Sequence, residues 1–468
     1  MKKLIIGLLI AVGALSSCAV KYERPDIPAE ELIRDFSESD TTFDVSKIEW
    51  RDFYKDTLLC RLIDSALAGN YDLEIAYKRI EQQSAYFKKS KWEIAPDLSA
   101  SAGVSYGKQN LSAQTAPYFT IGISASWEID IWGKLSKAKR AQFQKLLSQE
   151  NTKNAIQTEL IANIAKSYFQ LLALDAQKKF VIETIANREN YLQTVKDLKE
   201  SAVVNEVAVL QAESQLLTAQ TYLPEINQAI TQAENYICYL IGKTPAPIQR
   251  REITDLSEIR FPQAKTGLPI ALLRNRPDIL AAENMLQSSL HSYNSAVAAM
   301  YPSLTLSGNI STDAAQMDQW FNLPTSLVWG VIGGLTQPIF NGRALRTQKD
   351  VALKEYEIAI IEFKECVLGA GMEVSNTLSS LHNNNQKAEL LYKQYIALEK
   401  AYEYSYELLV NGYATYLDVL SAQEGVFNAQ LSYIQALNEL IDNHIDLYRA
   451  LGGGWSNPSL EKNRIEEK

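Results

Sequence analysis

Past its first residues, this chain of 468 has no apolar run long enough to cross a membrane as a helix, which takes about 18 residues or more. That excludes a bundle of membrane helices, but not membrane strands, whose signal per segment is weak. Cysteine is scarce, with only Cys18, Cys60, Cys238 and Cys366 and no CxxC pair. Such wide spacing gives neither a disulfide framework nor a zinc site, and the last three read as buried thiols. Only three histidines occur, His291, His382 and His444, without an HxxxH pair or a Ser-His-Asp order. A glycine-rich phosphate loop and a paired-carboxylate motif are missing too, so each histidine reads as a helix-surface residue. The expectation is no enzyme, no catalytic residue, no metal site and no cofactor. An excess of positive charge is also lacking: the net charge is −9, which argues against a nucleic-acid partner. It fits a solvated acidic surface or an acidic pore. Glycine and proline are few, at 21 and 14 residues, which leaves room for long regular elements.

The N-terminus is a different matter. Lys2 and Lys3 precede an apolar run from Leu4 to Leu15, followed by Ser16, Ser17 and Cys18. This is the layout of a secretory signal and is too short to persist as a spanning helix. The ending LSSC is similar to a bacterial lipobox, in which the cysteine is acylated and becomes the first mature residue. An ordinary signal peptide that happens to contain a cysteine is the alternative. Read as a lipoprotein, the chain loses residues 1–17 and is held to a membrane by acyl chains on Cys18.

Self-similarity organises the remainder. Shifted by 206 positions, Leu67, Asp72, Ala76, Pro96 and Leu98 fall on Leu273, Asp278, Ala282, Pro302 and Leu304. Each copy predicts a helix of about 20 residues that stops before a proline and then changes to period two. DLSASAGVSY (Asp97 to Tyr106) and PYFTIGISASWEIDIW (Pro117 to Trp132) alternate in the first copy. SLTLSGNIS (Ser303 to Ser311) and SLVWGVIGGLTQPIF (Ser326 to Phe340) do so in the second. Tyr106, Tyr118, Phe119, Trp132, Trp320, Phe321 and Phe340 gather towards the strand ends, where a membrane barrel places rings at headgroup level. Then come two long helices. Leu135 to Glu200 holds neither Gly nor Pro, with Ile156, Leu160, Ile164, Tyr168 and Leu172 stepping by four. At 1.5 Å per residue it spans about 100 Å, more than a compact domain needs. Its counterpart runs from Ala344 to about Leu409, and each turns back into a return helix ending at LIGK or LGGG. The return and short helices together nearly equal the long one, so each repeat is one long helix beside two shorter ones stacked end to end.

Two strand hairpins cannot close a barrel, for which about eight strands are a practical minimum, and open edges cannot face lipid. Several chains must therefore share one. At this point the motifs become specific. RNRPDILAAE (Arg274 to Glu283), continuing through YPSLTLSG (Tyr301 to Gly308), resembles the RPDI-AAE signature of the TolC-like outer membrane efflux proteins. DIWGK (Asp130 to Lys134) and PIFNGR (Pro338 to Arg343) resemble their strand-to-helix junctions, and GYATYLDVLSAQ (Gly412 to Gln423) their helix-tip turn. With the lipobox, the chain resembles the lipoprotein branch, the NodT, OprM and CusC-like proteins.

The resemblance implies a mainly α chain with a β membrane part. Three chains of four strands would form a 12-stranded barrel in the outer membrane and a long periplasmic α-barrel, as a homotrimer. It implies residues 1–17 as signal peptide, 18–65 as a lipidated N-terminal and equatorial segment, and 66–242 as the first repeat. The second repeat is 272–452, between a linker at 243–271 and a tail at 453–468. Strand hairpins fall at about 97–132 and 303–340, long helices at 135–200 and 344–409, and return helices at 205–241 and 416–451. The implied function is a passive exit duct, docked on a periplasmic adaptor and an inner-membrane pump of the RND type, with Cys18 in outer membrane lipid.

Carried over residue by residue, Asp418 matches an acidic position that rings the family's gate, and Gly412 matches the turn glycine, where positive φ is cheap. In a trimer three Asp418 side chains near one axis would repel each other and attract cations. An acid complementing a helix dipole is the alternative. The first repeat departs, with Ala208 at the position of Asp418, so Glu206 stands as a substitute acid. Val203, Val204, Gly412, Tyr413, Ala414, Thr415 and Tyr416 are expected to meet the adaptor, or else to serve turn packing. A duct for type I protein secretion remains the second reading, and a coiled-coil structural or adhesive lipoprotein a more distant one. The latter leaves the duplicated strand hairpins without a purpose.

Overall fold

The computed structural model describes residues 20–25, 48–107, 116–253, 255–262, 275–314, 316–323 and 326–455. The expected signal peptide, Cys18, Arg274 and residues 456–468 of the expected C-terminal tail lie outside the described residues. Contacts divide the chain into two units, one of residues 1–27, 77–151 and 280–366, the other of 28–76, 152–279 and 367–468.

The elements are α1 (Trp50–Tyr54), α2 (Thr57–Gly69), α3 (Tyr71–Trp92), β1 (Asp97–Gly107) and β2 (Ala116–Ile129), then α4 (Lys134–Glu200) and α5 (Glu206–Ile241). The second repeat gives α6 (Pro277–Ala298), β3 (Ser303–Ala314), β4 (Leu327–Thr336), α7 (Ala344–Val410) and α8 (Tyr416–Ala450). Both short helices start at the expected offset, at Tyr71 and Pro277. The third strand runs on to Ala314, past Ser311, and two strands end earlier than the sequence reading has them. The second and fourth strands stop at Ile129 and Thr336, short of Trp132 and Phe340. The cause after β2 is local: the Leu135 and Ser136 N–H groups donate to the Asp130 carboxylate at 3.0 and 2.8 Å, so Asp130 caps a helix start rather than extending a strand. Trp132 also leaves the sheet, donating from Nε1 to the Pro302 carbonyl at 2.8 Å.

The first unit carries one antiparallel sheet in the order β1-β2-β3-β4. Its register places Ala100, Ile123, Ile310 and Trp329 in one row, and Leu98, Ala125, Gly308 and Val331 in the next. These rows form an apolar face, and the intervening rows, such as Ser99, Ser124, Asn309 and Gly330, form a largely polar one. A soluble sheet buries its apolar face; here Leu98, Ile123, Ile310, Trp329 and Val331 are all exposed. Serines dock α6 on α4: the Ser288 and Ser295 hydroxyls donate to the Ala141 and Lys134 carbonyls at 2.9 and 2.8 Å.

The second unit holds the main core. Leu160, Ile164, Tyr168 and Leu172 of α4 are buried as their spacing predicts. Polar side chains join the return helices to the short ones. Asn70 donates from Nδ2 to the Leu240 carbonyl at 2.9 Å, while its Oδ1 accepts from the Leu73 N–H at 3.0 Å. Gly69 and Gly242 permit that approach, since a Cβ at Gly69 would meet the Ile241 carbonyl oxygen and one at Gly242 the Gly69 carbonyl oxygen, each within 2.5 Å. In the second repeat Arg276 takes the place of Asn70, donating from Nη1 to the Ala450 carbonyl at 2.8 Å. The cysteines are less uniform than expected: Cys238 is buried, but Cys60 and Cys366 are half-buried. Nor are all histidines surface residues. His444 stacks on Phe261 at 5.1 Å and burial pushes its pKa down to about 4.

Candidate functional site: the paired helix turns

Both long helices end in the same backbone motif, built from different residues. At the end of α4 the Val203 N–H donates to the Leu198 carbonyl and the Ala202 N–H to that of Lys199, both at 2.9 Å. At the end of α7 the Tyr413 N–H donates to Leu408 at 2.8 Å and the Gly412 N–H to Leu409 at 3.0 Å. Each is a Schellman turn with its pivot residue in the left-handed region, at φ 60° for Ala202 and 79° for Gly412. The return helices then start on capping side chains. Asn205 accepts from the Ala208 N–H through Oδ1 at 3.3 Å. Asp418, three residues into its helix, reaches back to accept from the Thr415 N–H at 2.8 Å and the Thr415 hydroxyl at 2.7 Å. Those two bonds hold the Asp418 carboxyl below its ordinary pKa, so it is ionised at neutral pH.

The turns rest on a shared apolar cluster. Tyr191, Leu192 and Val195 of α4 meet Ala208, Val209 and Ala212 of α5, with Leu409 of α7 and Val419 of α8. Each fully buried valine or leucine here stabilises by about 1.5–3 kcal/mol. The Tyr191 hydroxyl also donates to the Tyr416 carbonyl at 3.2 Å, tying α4 to the start of α8. Two helix hairpins therefore form one tip.

What the chain shares with known proteins fits this architecture. The profile described as "Outer membrane efflux protein" matches residues 62–243 and 268–453, which is most of the chain and both structural repeats. The chain belongs to the outer membrane efflux protein family. It is 26% identical over 461 residues to the probable outer membrane lipoprotein SilC of Salmonella typhimurium, covering 97% of this chain and 99% of that protein. It is 28% identical over 482 residues to the toluene efflux pump outer membrane protein TtgF of Pseudomonas putida, covering 98% and 99%. The open-state crystal structure of the MtrE outer membrane channel of Neisseria gonorrhoeae superposes with a TM-score of 0.83 at 25% identity, over 93% of this chain and 98% of that one. The fold is TolC-like, with two repeats per chain, and the function is that of an outer membrane channel of an efflux system.

Within this efflux protein the residues singled out in the sequence separate by exposure. Val203, Gly412, Tyr413 and Thr415 face outward, with Tyr413 82% exposed. Val204 and Tyr416 turn inward onto the apolar cluster, and Ala414 is half-buried. Asp418 is exposed, whereas Ala208, its counterpart at an offset of 210, is 1% exposed within the core. An acid at Ala208 would be buried, so the first repeat has no room for an equivalent of Asp418. Glu206 is exposed and pairs with Lys199 across the turn, an ion pair that neutralises it locally. The left-handed Ala202 and the Tyr191–Tyr416 bond had no sequence signal, since alanine rarely marks such a turn.

Proposed function

We propose that the chain acts as a homotrimer, as the exit duct of a tripartite pump with a periplasmic adaptor and an inner-membrane transporter of the RND type. The sheet carries this reading: an exposed apolar face, a polar face opposite, and edge strands β1 and β4 that have only one partner each among the described residues. Unpaired strand edges are too costly in lipid, so three sheets joined edge to edge close a barrel whose apolar face meets acyl chains.

Lipid attachment at Cys18 completes the reading. Val20, two residues on, is held on both sides of its peptide by Asn294, whose Oδ1 accepts from its N–H at 3.1 Å and whose Nδ2 donates to its carbonyl at 2.9 Å. Tyr22 donates to Glu283 at 2.8 Å. These contacts support an acyl anchor beside the unit that contains the sheet. The outward-facing Val203, Gly412, Tyr413 and Thr415 would form the adaptor's landing surface, and three copies of Asp418 an acidic ring at the pore. The capping bonds of Asp418 also fit a purely structural acid, which makes the ring the point to test. Single channels of wild type and Asp418→Ala in planar bilayers decide it: the variant is expected to lose cation selectivity and to change its open level. Unchanged selectivity and conductance would reduce Asp418 to a helix cap, while a protein with no conductance at all would remove the duct.

A further inference from the structure

Arg188 of α4 is 2% exposed, and no carboxylate among the described residues pairs with it. Its Nη1 donates to the Gln215 carbonyl of α5, and its guanidinium lies 4.9 Å from the centre of the Phe427 ring of α8. Its Nε is left without a partner. Burial lowers its pKa, which the charges of the exposed Glu424 and of Tyr222 only partly oppose. A buried guanidinium with an unused donor is expensive unless an anion satisfies it.

It lines a cavity of about 450 Å³ between α4, α7 and α8. Two walls are aromatic: Phe180 stacks on Phe427 at 5.8 Å, and Tyr392 packs on Tyr433 at 5.3 Å. Two of the residues that line it, Gln423 and Gln430, each have a buried side-chain carbonyl without a partner. Of the acids around the cavity, Glu399 already accepts from the Tyr395 hydroxyl at 2.7 Å and Asp255 from the Ser257 N–H at 2.7 Å. Lys179 and Glu183 also line the cavity but are exposed to solvent. The unspent buried groups are thus one cationic donor and two neutral amides beside aromatic walls, which is the usual make-up of a small-molecule site.

We propose that this cavity is a binding site for a small aromatic carboxylate that also carries a hydrogen-bond donor. Its carboxylate accepts from Arg188 Nε, its ring lies between the aromatic walls, and its donor satisfies Gln423 or Gln430. Because Arg188 already touches α5 and α8, the bound anion braces the two hairpins against each other and stabilises the folded state by mass action. The site does not depend on the duct reading.

Calorimetric titration of the full-length, detergent-purified protein with 4-hydroxybenzoate tests it, beside neutral 4-hydroxybenzamide and cationic 4-hydroxybenzylamine. The acid is expected to bind, and the amide about tenfold more weakly, as the loss of one charge-assisted bond implies. Arg188→Gln should weaken the acid by about tenfold or more. The double variant Gln423→Leu/Gln430→Leu, which leaves neither orphan carbonyl, should weaken binding by about tenfold, and it decides the matter if the arginine variant does not fold. No binding of the acid, equal binding by the amine, or undiminished binding in the double glutamine variant overturns the proposal.

Discussion

Ala202 and Gly412 occupy the same pivot of the same turn, and only one is chemically suited to it. A Cβ in the left-handed region costs about 1–2 kcal/mol, and replacing it with glycine relieves that strain but loses about 0.4–1 kcal/mol to the freer unfolded chain. Nothing lies within 4 Å of where a Cβ at Gly412 would sit, so backbone conformation alone sets the cost there. Ala202→Gly is therefore expected to stabilise its turn, and Gly412→Ala to destabilise its own, each by up to about 1 kcal/mol, a factor of about five in local opening. Amide hydrogen exchange at residues 203–208 and 413–418 checks both, slower in the first variant and faster in the second. Equal exchange in all forms would mean the neighbouring helices, not the pivots, set the turn's stability. The glycine was legible because glycine announces such a turn. The alanine was not, because its backbone is imposed by the helices on either side. Asp418 was legible as an acid at a helix start, but sequence alone could not say that its partner is Thr415 or that Ala208 faces the core.

Two elements show how tertiary contacts decide what local pattern leaves open. The helix starts at Tyr71 and Pro277 were readable from repetition, but the residues that lock them are unlike. Arg276 holds the Asp278 carboxylate with two bonds, at 3.1 and 2.8 Å, and Glu373 at 2.7 Å. Burial alone would lower the pKa of Arg276; those two acids more than reverse it. Arg276→Ala strands Asp278, which keeps some exposure, while Glu373 keeps its ion pair with Arg449, so about 2–3 kcal/mol is expected rather than the full penalty of a buried pair. Asn70→Ala loses a cap and leaves the Leu240 carbonyl open, about 1–2 kcal/mol. Thermal loss of the helical circular-dichroism signal should rank wild type above Asn70→Ala above Arg276→Ala, and the reverse order would contradict the equivalence. Along α8 two buried groups pull in opposite directions. Burial raises Asp442 to about 6, helped by Asp446 and Glu439 and opposed by Lys166, and lowers His444 to about 4. The Asp442 term favours folding at low pH and is lost as pH rises from about 4 to 6; the His444 term is lost as pH falls from about 6.5 to 4. The two largely cancel in the wild type. Asp442→Asn should raise the thermal midpoint at pH 7.5 by the equivalent of about 1–3 kcal/mol, give no gain at pH 4, and leave a protein that weakens on acidification. A gain that is the same at both pH values would show that Asp442 is not titrating in this window.

At the scale of the whole molecule, the sheet sets what the chain must do with other copies. Period-two alternation made the strands readable and their aromatic ends suggested a membrane, but one chain's sequence gives no partner for β1 or β4. The register supplies the missing constraint. Within one chain β1 and β4 are separated by two intervening strands, so at about 4.8 Å per strand they lie roughly 14 Å apart. A disulfide needs Cα atoms within about 7 Å. Any β1-to-β4 disulfide must therefore join two chains. Pairing a cysteine at Ser99, Ser101 or Ser105 with one at Val328, Ile332 or Gly334 samples the possible registers of that seam on the mainly polar face. In the proposed closed barrel at least one combination should oxidise to a covalent ladder that stops at the trimer, and a cysteine on β1 alone should give no ladder. Bands continuing past the trimer would mean an open, head-to-tail assembly. No intermolecular product from any pair would mean that these edges do not meet, and the sheet's two faces would then need another explanation.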